Sequence, residues 1–229
     1  MNGGNKLLDK KNTYVFRIIR LLLGLVLYGA GSFLIIQANI GLAPWEAFSV
    51  GISDTLGMRY GDVVVLTGFI ILAADIALKE KVGLGTILNI FIIGKVVDLL
   101  FYLDFFPKLN NFLLGVGVLL IGQFVICVGS VLYIGSALGC GPRDALMMAL
   151  SKRLPKVPIG AIRGIIEGAV LLIGWLLGAK VGLGTVISVF GIGLILQYTF
   201  KLLRFQAKDV AHEDVISTIK AFRAGNSRR

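Results

Sequence analysis

The residues of this chain whose types could do chemistry are few, and most stand where ionisable groups are costly. Glu46 follows Trp45 just after a Pro, Arg143 and Asp144 directly follow Pro142, Lys95 and Asp98 lie three apart, and Arg163 and Glu167 lie four apart. The last two spacings set each pair on one face of a helix. Both pairs fall in stretches apolar enough that a lone mid-bilayer charge costs about 2.5 to 3.5 kcal/mol on insertion scales. Such groups are expected either to tie helices together as ion pairs or to serve a solute or a coupling proton. An acid in a first helical turn has another use, since complementing the helix dipole contributes about 0.3 to 1 kcal/mol. Arg143 has no such benefit and must pair with an acid, meet an anion or mark the cytoplasmic side; an ion pair is the favoured expectation. Trp45, Glu46, Arg143 and Asp144 are therefore the candidate solute contacts, with Lys95, Asp98, Arg163 and Glu167 as coupling or structural charges. Asp75 is expected to snorkel to the cytoplasmic edge beside Lys79.

Other chemistries lack their residues. The single histidine, His212, lies in a polar tail, two cysteines build no disulfide framework, and no metalloprotease helix motif occurs. The Gly-x-Gly-Thr strings at 83 to 86 and 182 to 185 open apolar runs and lack the strand context of a nucleotide-binding turn, so they read as close-packed corners. No enzyme activity, cofactor or metal is expected. Gln123, Gln197, Asn89 and Ser188 are expected to hydrogen-bond between helices, and Cys127 to fill apolar space.

The elements that must position these residues are membrane spans. Of 229 residues, 56% are hydrophobic, 16% charged and 30 are glycine, far from the roughly 25% charged content of soluble domains. Runs long enough to cross a bilayer fall near 15 to 38, 62 to 78, 82 to 103, 112 to 137, 161 to 179 and 182 to 203. The fold class is thus all-α transmembrane, with about six spanning helices. The net charge of +10 concentrates before the first run and after the last, which marks cytoplasmic ends and speaks against nucleic acid.

The chain is a duplication. Gly41, Pro44, Ala47 and Ser53 recur 98 positions on as Gly139, Pro142, Ala145 and Ser151, and the string Lys81 to Thr86 recurs identically at Lys180 to Thr185. Residues 1–14 form a basic amino terminus, 15–104 the first repeat, 105–203 the second and 204–229 a basic cytoplasmic tail. Three spans per repeat invert the second copy. The connector at 41 to 60 carries one basic residue, Arg59, whereas its counterpart at 139 to 160 carries Arg143, Lys152, Arg153 and Lys156, in keeping with opposite sides and cytoplasmic termini.

Each connector holds a helix signal. A Pro after a small residue suits the first helical turn, so Ala43-Pro44 and Gly141-Pro142 should each start a short broken or re-entrant helix, with glycines Gly41, Gly139 and Gly141 shaping the turns. From Trp45, the residues Phe48, Ile52 and Leu56 describe one apolar face. Helix starts at membrane depth present unpaired N–H groups and a positive dipole end, as at transporter sites. In the tail, Val215, Ile219 and Phe222 fit a helix lying on an anionic leaflet.

Gly41-Leu42-Ala43-Pro44-Trp45-Glu46, Gly139-Cys140-Gly141-Pro142-Arg143-Asp144 and Gly83-Leu84-Gly85-Thr86 resemble the motifs of the YczE/YyaS/YitT family of bacterial integral membrane proteins, over nearly all of residues 15 to 203. The family's turns read Gly-Leu-Gly-Pro-Trp-Asp and Gly-Leu-Gly-Pro-Arg-Asp, from which Ala43, Glu46 and Cys140 depart. The resemblance implies a bacterial inner-membrane protein and no particular reaction. Together these features lead to the expectation of a secondary transporter for a small anionic or amphoteric solute, bound between inverted repeats near Pro44 and Pro142, with a proton as coupling ion. The competing expectation is a non-transporting factor that binds a partner protein, or further copies of itself, through its basic cytoplasmic surface.

Overall fold

A computed structural model describes the backbone of residues 3–204 and the side chains from residue 14 onward. The expectations for the tail, including His212 and the helix through Phe222, lie outside the described residues. Eight helices follow one another: α1 (Gly3–Ala38), α2 (Pro44–Leu56), α3 (Tyr60–Ala77), α4 (Leu84–Tyr102), α5 (Phe112–Gly135), α6 (Pro142–Arg153), α7 (Ile159–Leu176) and α8 (Leu183–Leu202). Six of them, all but α2 and α6, are long and apolar enough to cross a membrane, and no strand occurs among the described residues. The end of the bundle where α1 ends and α3 begins is termed the first face, and the opposite end the second face.

The breaks before α2 and α6 have the same construction. Positive φ occurs at Asn39 (56°) and Gly41 (126°), and again at Ala137 (58°) and Gly139 (123°). The chain then returns to extended geometry at Ala43 and Gly141 before Pro starts each helix. At Gly41 and Gly139 glycine is required, because this φ is sterically poor for other residues. A methyl group at Gly41 would also stand 2.8 Å from the Gly182 nitrogen, and one at Gly139 2.8 Å from the Gly83 Cα. Alanine at position 43 is compatible with its φ of −69°.

Backbone groups freed by these breaks are satisfied by the repeated Gly-rich corners, each serving the other half's break. Leu42 N–H donates to the Lys180 carbonyl at 3.0 Å and Gly184 N–H to Ile40 at 2.9 Å, while Gly85 N–H donates to Leu138 at 2.7 Å. Thr86 Oγ1 adds a 2.6 Å bond to the Cys140 carbonyl. Cations take further carbonyls: Lys180 Nζ reaches Asn39 O at 3.0 Å, and Arg17 Nη2 reaches Ala137 O at 3.0 Å.

The long helices α1 and α5 cross closely at matched glycines. A Cβ on Gly129 would lie 2.6 Å from Gly24 O, and one on Gly31 2.6 Å from Gly122 O. Such small-residue crossings are how helices approach in lipid, where apolar area alone drives little association. The short helices cross between halves too, α2 packing on α7 and α6 on α3. The α2 contact uses the face opposite the apolar stripe: its buried residues are Pro44, Glu46, Ala47, Ser49 and Gly51, whereas Leu56 of the stripe is 62% exposed. In a bilayer, large apolar groups suit lipid and small ones suit helix contact; Gly51 and Ala47 meet the Gly174 backbone.

Gly129→Leu should weaken the α1–α5 crossing by about 1 to 3 kcal/mol through overpacking. Gly117, with nothing within 4 Å of its Cβ position, should accept leucine with little change. Thermal denaturation of the two variants in detergent checks this: equal midpoints would contradict the close crossing.

Candidate functional site

The starts of α2 and α6 open on one cavity of about 110 Å³, space for several waters or a small solute. Its lining follows the sequence repeat. Pro44, Trp45 and Glu46 face it from α2, and Pro142, Arg143 and Asp144 from α6; Asn89 and Ser188 line it from α4 and α8. Arg163 and Glu167 of α7 complete the charged groups, at the positions that Val64 and Gly68 occupy on α3. The two halves thus contribute equivalent positions with unequal chemistry. Arg163 is 43% exposed, so the cavity reaches the surface beside α7.

Within the cavity most charges are held by neighbours. Glu46 is buried and accepts a 2.9 Å bond from Ser32 Oγ; Asp144 accepts one of 2.6 Å from the Tyr133 hydroxyl. Arg163 and Glu167 form the expected ion pair, at 2.7 Å. Arg143 departs from expectation. No ion pair to it occurs among the described residues; its guanidinium lies 4.3 Å from the Trp45 ring centroid instead, a cation–π contact that leaves its N–H donors available. Neither helix start has a side-chain cap, so first-turn N–H groups without helical partners add positive potential there.

Two further buried groups lack partners, of which Ser188 lines the cavity. Ser188 Oγ is buried without a hydrogen bond, and so is the Gln123 carboxamide, whose Oε1 lies 3.2 Å from the Cβ position of Gly191 on α8. The interhelical bonds expected for Gln123 and Ser188 are therefore not made. Tyr133 and Ser32 escaped the sequence argument because an aromatic or serine in a span has no distinctive spacing; their value comes from the acids they contact. Cys140 adjoins the α6 start, where burial, then the nearby Asp144 charge, pushes its thiol up to about 11, leaving it little thiolate character. Cys127 is buried as expected.

Lys95 and Asp98 lie outside the cavity, at the first face. Asp98 Oδ1 accepts the Gly61 N–H at 2.7 Å, capping the start of α3. Lys95 sits 2.6 Å from Asp62 and 3.9 Å from Asp98, and is 53% exposed. The expected doublet is thus a three-residue clasp between α3 and α4, with Asp62 as its unforeseen member. Asp75 overturns its expectation. It is 1% exposed and both carboxyl oxygens lack a hydrogen-bond partner; Lys79 does not reach it, the turn there being tied by Glu80 to Lys152 of α6 at 2.7 Å.

The sequence of residues 15–201 matches the family of unknown function DUF6198. Among curated relatives, an uncharacterized protein of Haemophilus influenzae is 31% identical over 191 residues, covering 80% of this chain and 83% of its own. The membrane protein YczE of Bacillus subtilis is 28% identical over 178 residues, 77% of this chain and 81% of its own, and YyaS of the same organism is 29% identical over 182 residues, 76% and 87%. No solved structure matches. With six apolar helices and these relatives, the chain is a membrane protein of the DUF6198 family, to which its YczE and YyaS motifs had pointed.

Proposed function

We propose that this protein is a secondary transporter of a small amphoteric solute, bound in the cavity between two inverted repeats. The observation that carries this is the convergence of two uncapped helix starts and an unpaired Arg143 guanidinium on one cavity that also holds acids. The helix starts and Arg143 suit an anionic group. Glu46, Asp144 and Glu167 against Arg143 and Arg163 leave one formal negative charge, which an ammonium group or a proton balances; an amphoteric solute therefore fits better than a simple anion.

The two halves also differ as a transporter's halves should. Gly61 and Gly94 pack α3 on α4, where a Cβ on Gly94 would lie 2.8 Å from Gly61 O. Their counterparts 99 residues on, Gly160 and Gly193, have nothing within 4 Å, and α7 and α8 scarcely touch. The α3–α4 pair meets at the first face, the separated pair at the second. In the alternate state α7 closes on α8 while α3 and α4 part, exposing the cavity to the other side. Positive-inside placement supports cytoplasmic termini in a bacterial cytoplasmic membrane. The partner-binding alternative has less support, since Lys152 and Arg153 are occupied by Glu80 and the Leu78 carbonyl.

Thermal-shift screening of the purified protein against amino acids and small carboxylates should find a stabilising solute, by about 2.7 kcal/mol at 100 times its Kd. Arg143→Ala should weaken that binding at least tenfold while remaining folded, and proteoliposomes should accumulate the solute. Undiminished affinity in the variant, or binding without flux, would overturn the proposal. A Gly160→Cys, Gly193→Cys pair in a chain with Cys127 and Cys140 replaced by alanine should crosslink on oxidation and arrest uptake; an oxidised sample with no crosslink would contradict closure of α7 on α8.

A further inference from the structure

Asp75 occupies a particular place in the repeat. Ninety-nine residues on stands Gly174, where α7 crosses α2 so closely that a Cβ would be 2.5 Å from the Ala47 carbonyl carbon. At the equivalent crossing of α3 with α6, which buries Ala145 and Ala149, the close-packing glycine is replaced by a carboxyl group. Val64, Gly68, Ile71 and Asp75 share one face of α3. The first two line the cavity and the latter two are buried, so Asp75 lies about 10 Å beyond Gly68 toward the second face.

Nothing there stabilises a negative charge. Both carboxyl oxygens are buried and unpartnered, and the last turn of α3 presents the negative end of its dipole. Of the surrounding ionisable groups, Glu80 in the following turn is acidic, and Cys140 lies across the break before α6. Lys152 is engaged with Glu80 and Arg153 with the Leu78 carbonyl, Lys79 in the following turn makes no bond to the carboxyl, and Arg143 and Asp144 of α6 lie at the cavity. The other helices packed on α3 bring their charges at the cavity, Glu46, or toward the first face, Asp54, Lys95 and Asp98. An unpaired buried carboxylate is too costly to persist.

We infer that Asp75 is a proton-binding site at the α3–α6 crossing: its neutral carboxylic acid permits the crossing, and its ionisation, with the proton passing to water at the second face, separates the two helices. Use of that proton as a coupling ion rests on the transport reading; its presence at Asp75 does not.

Infrared spectra of the full chain in lipid nanodiscs test the site without any solute. At neutral pH the wild type should show a carboxylic-acid carbonyl band, shifted in heavy water, that Asp75→Asn lacks and Asp75→Glu restores at altered frequency. Hydrogen exchange in residues 71–77 and 145–152 should rise several-fold at alkaline pH beyond the chemical rate in the wild type, and not in Asp75→Asn. Should the asparagine variant fail to fold, Asp75→Gly, which copies Gly174, takes its place. Wild-type and variant spectra that superimpose in the acid carbonyl region, or exchange that rises equally in both, would overturn the inference.

Discussion

Everything in this molecule depends on how interrupted helices keep their backbone groups bonded in an apolar surrounding, where no water stands ready to replace a lost hydrogen bond. The breaks at residues 39–43 and 137–141 expose carbonyls and N–H groups, and each is served by the Gly-rich corner of the opposite half. Glycine at 182 and 184, and at 83 and 85, lets those corners approach. One cation at each break, Lys180 or Arg17, takes a remaining carbonyl. This reciprocal arrangement fixes the starts of α2 and α6 beside one another; the cavity is its consequence.

Given the framework, charge distribution distinguishes the halves. The first face is fastened by Asp98 on the Gly61 N–H and Lys95 on Asp62, whereas the corresponding positions of the second half, Gln197, Gly160, Leu194 and Ala161, form no such clasp. At the second face the link runs between halves, through Lys152 and Glu80. The two ends of the bundle therefore carry unlike fastenings, one within the first half and one between the halves.

Much of this was legible in the sequence, because the signals were strong and local. Span lengths, prolines that start helices and the repeated Lys-Val-Gly-Leu-Gly-Thr string required no knowledge of packing. The ion pair of Arg163 with Glu167 followed from helical spacing alone. What was not legible depended on relations between helices. Lys95 has a nearer partner on another helix than the acid three residues away, Arg143 rests on an aromatic ring, and Asp75 is buried instead of reaching water. The stripe through Phe48 and Leu56 marked a helix face without saying what covers it, because periodicity locates an apolar face but cannot tell lipid from protein.

The central claim is that the cavity between the halves is reached from each side of the membrane in turn. Its most direct test replaces Ser188, which lines the cavity, with cysteine in a chain lacking the two native thiols, and measures labelling by a membrane-impermeant thiol reagent in vesicles of each orientation. The account predicts reaction from both sides, with a saturating solute protecting the thiol from both. Reaction from one side only, or from neither, would contradict it.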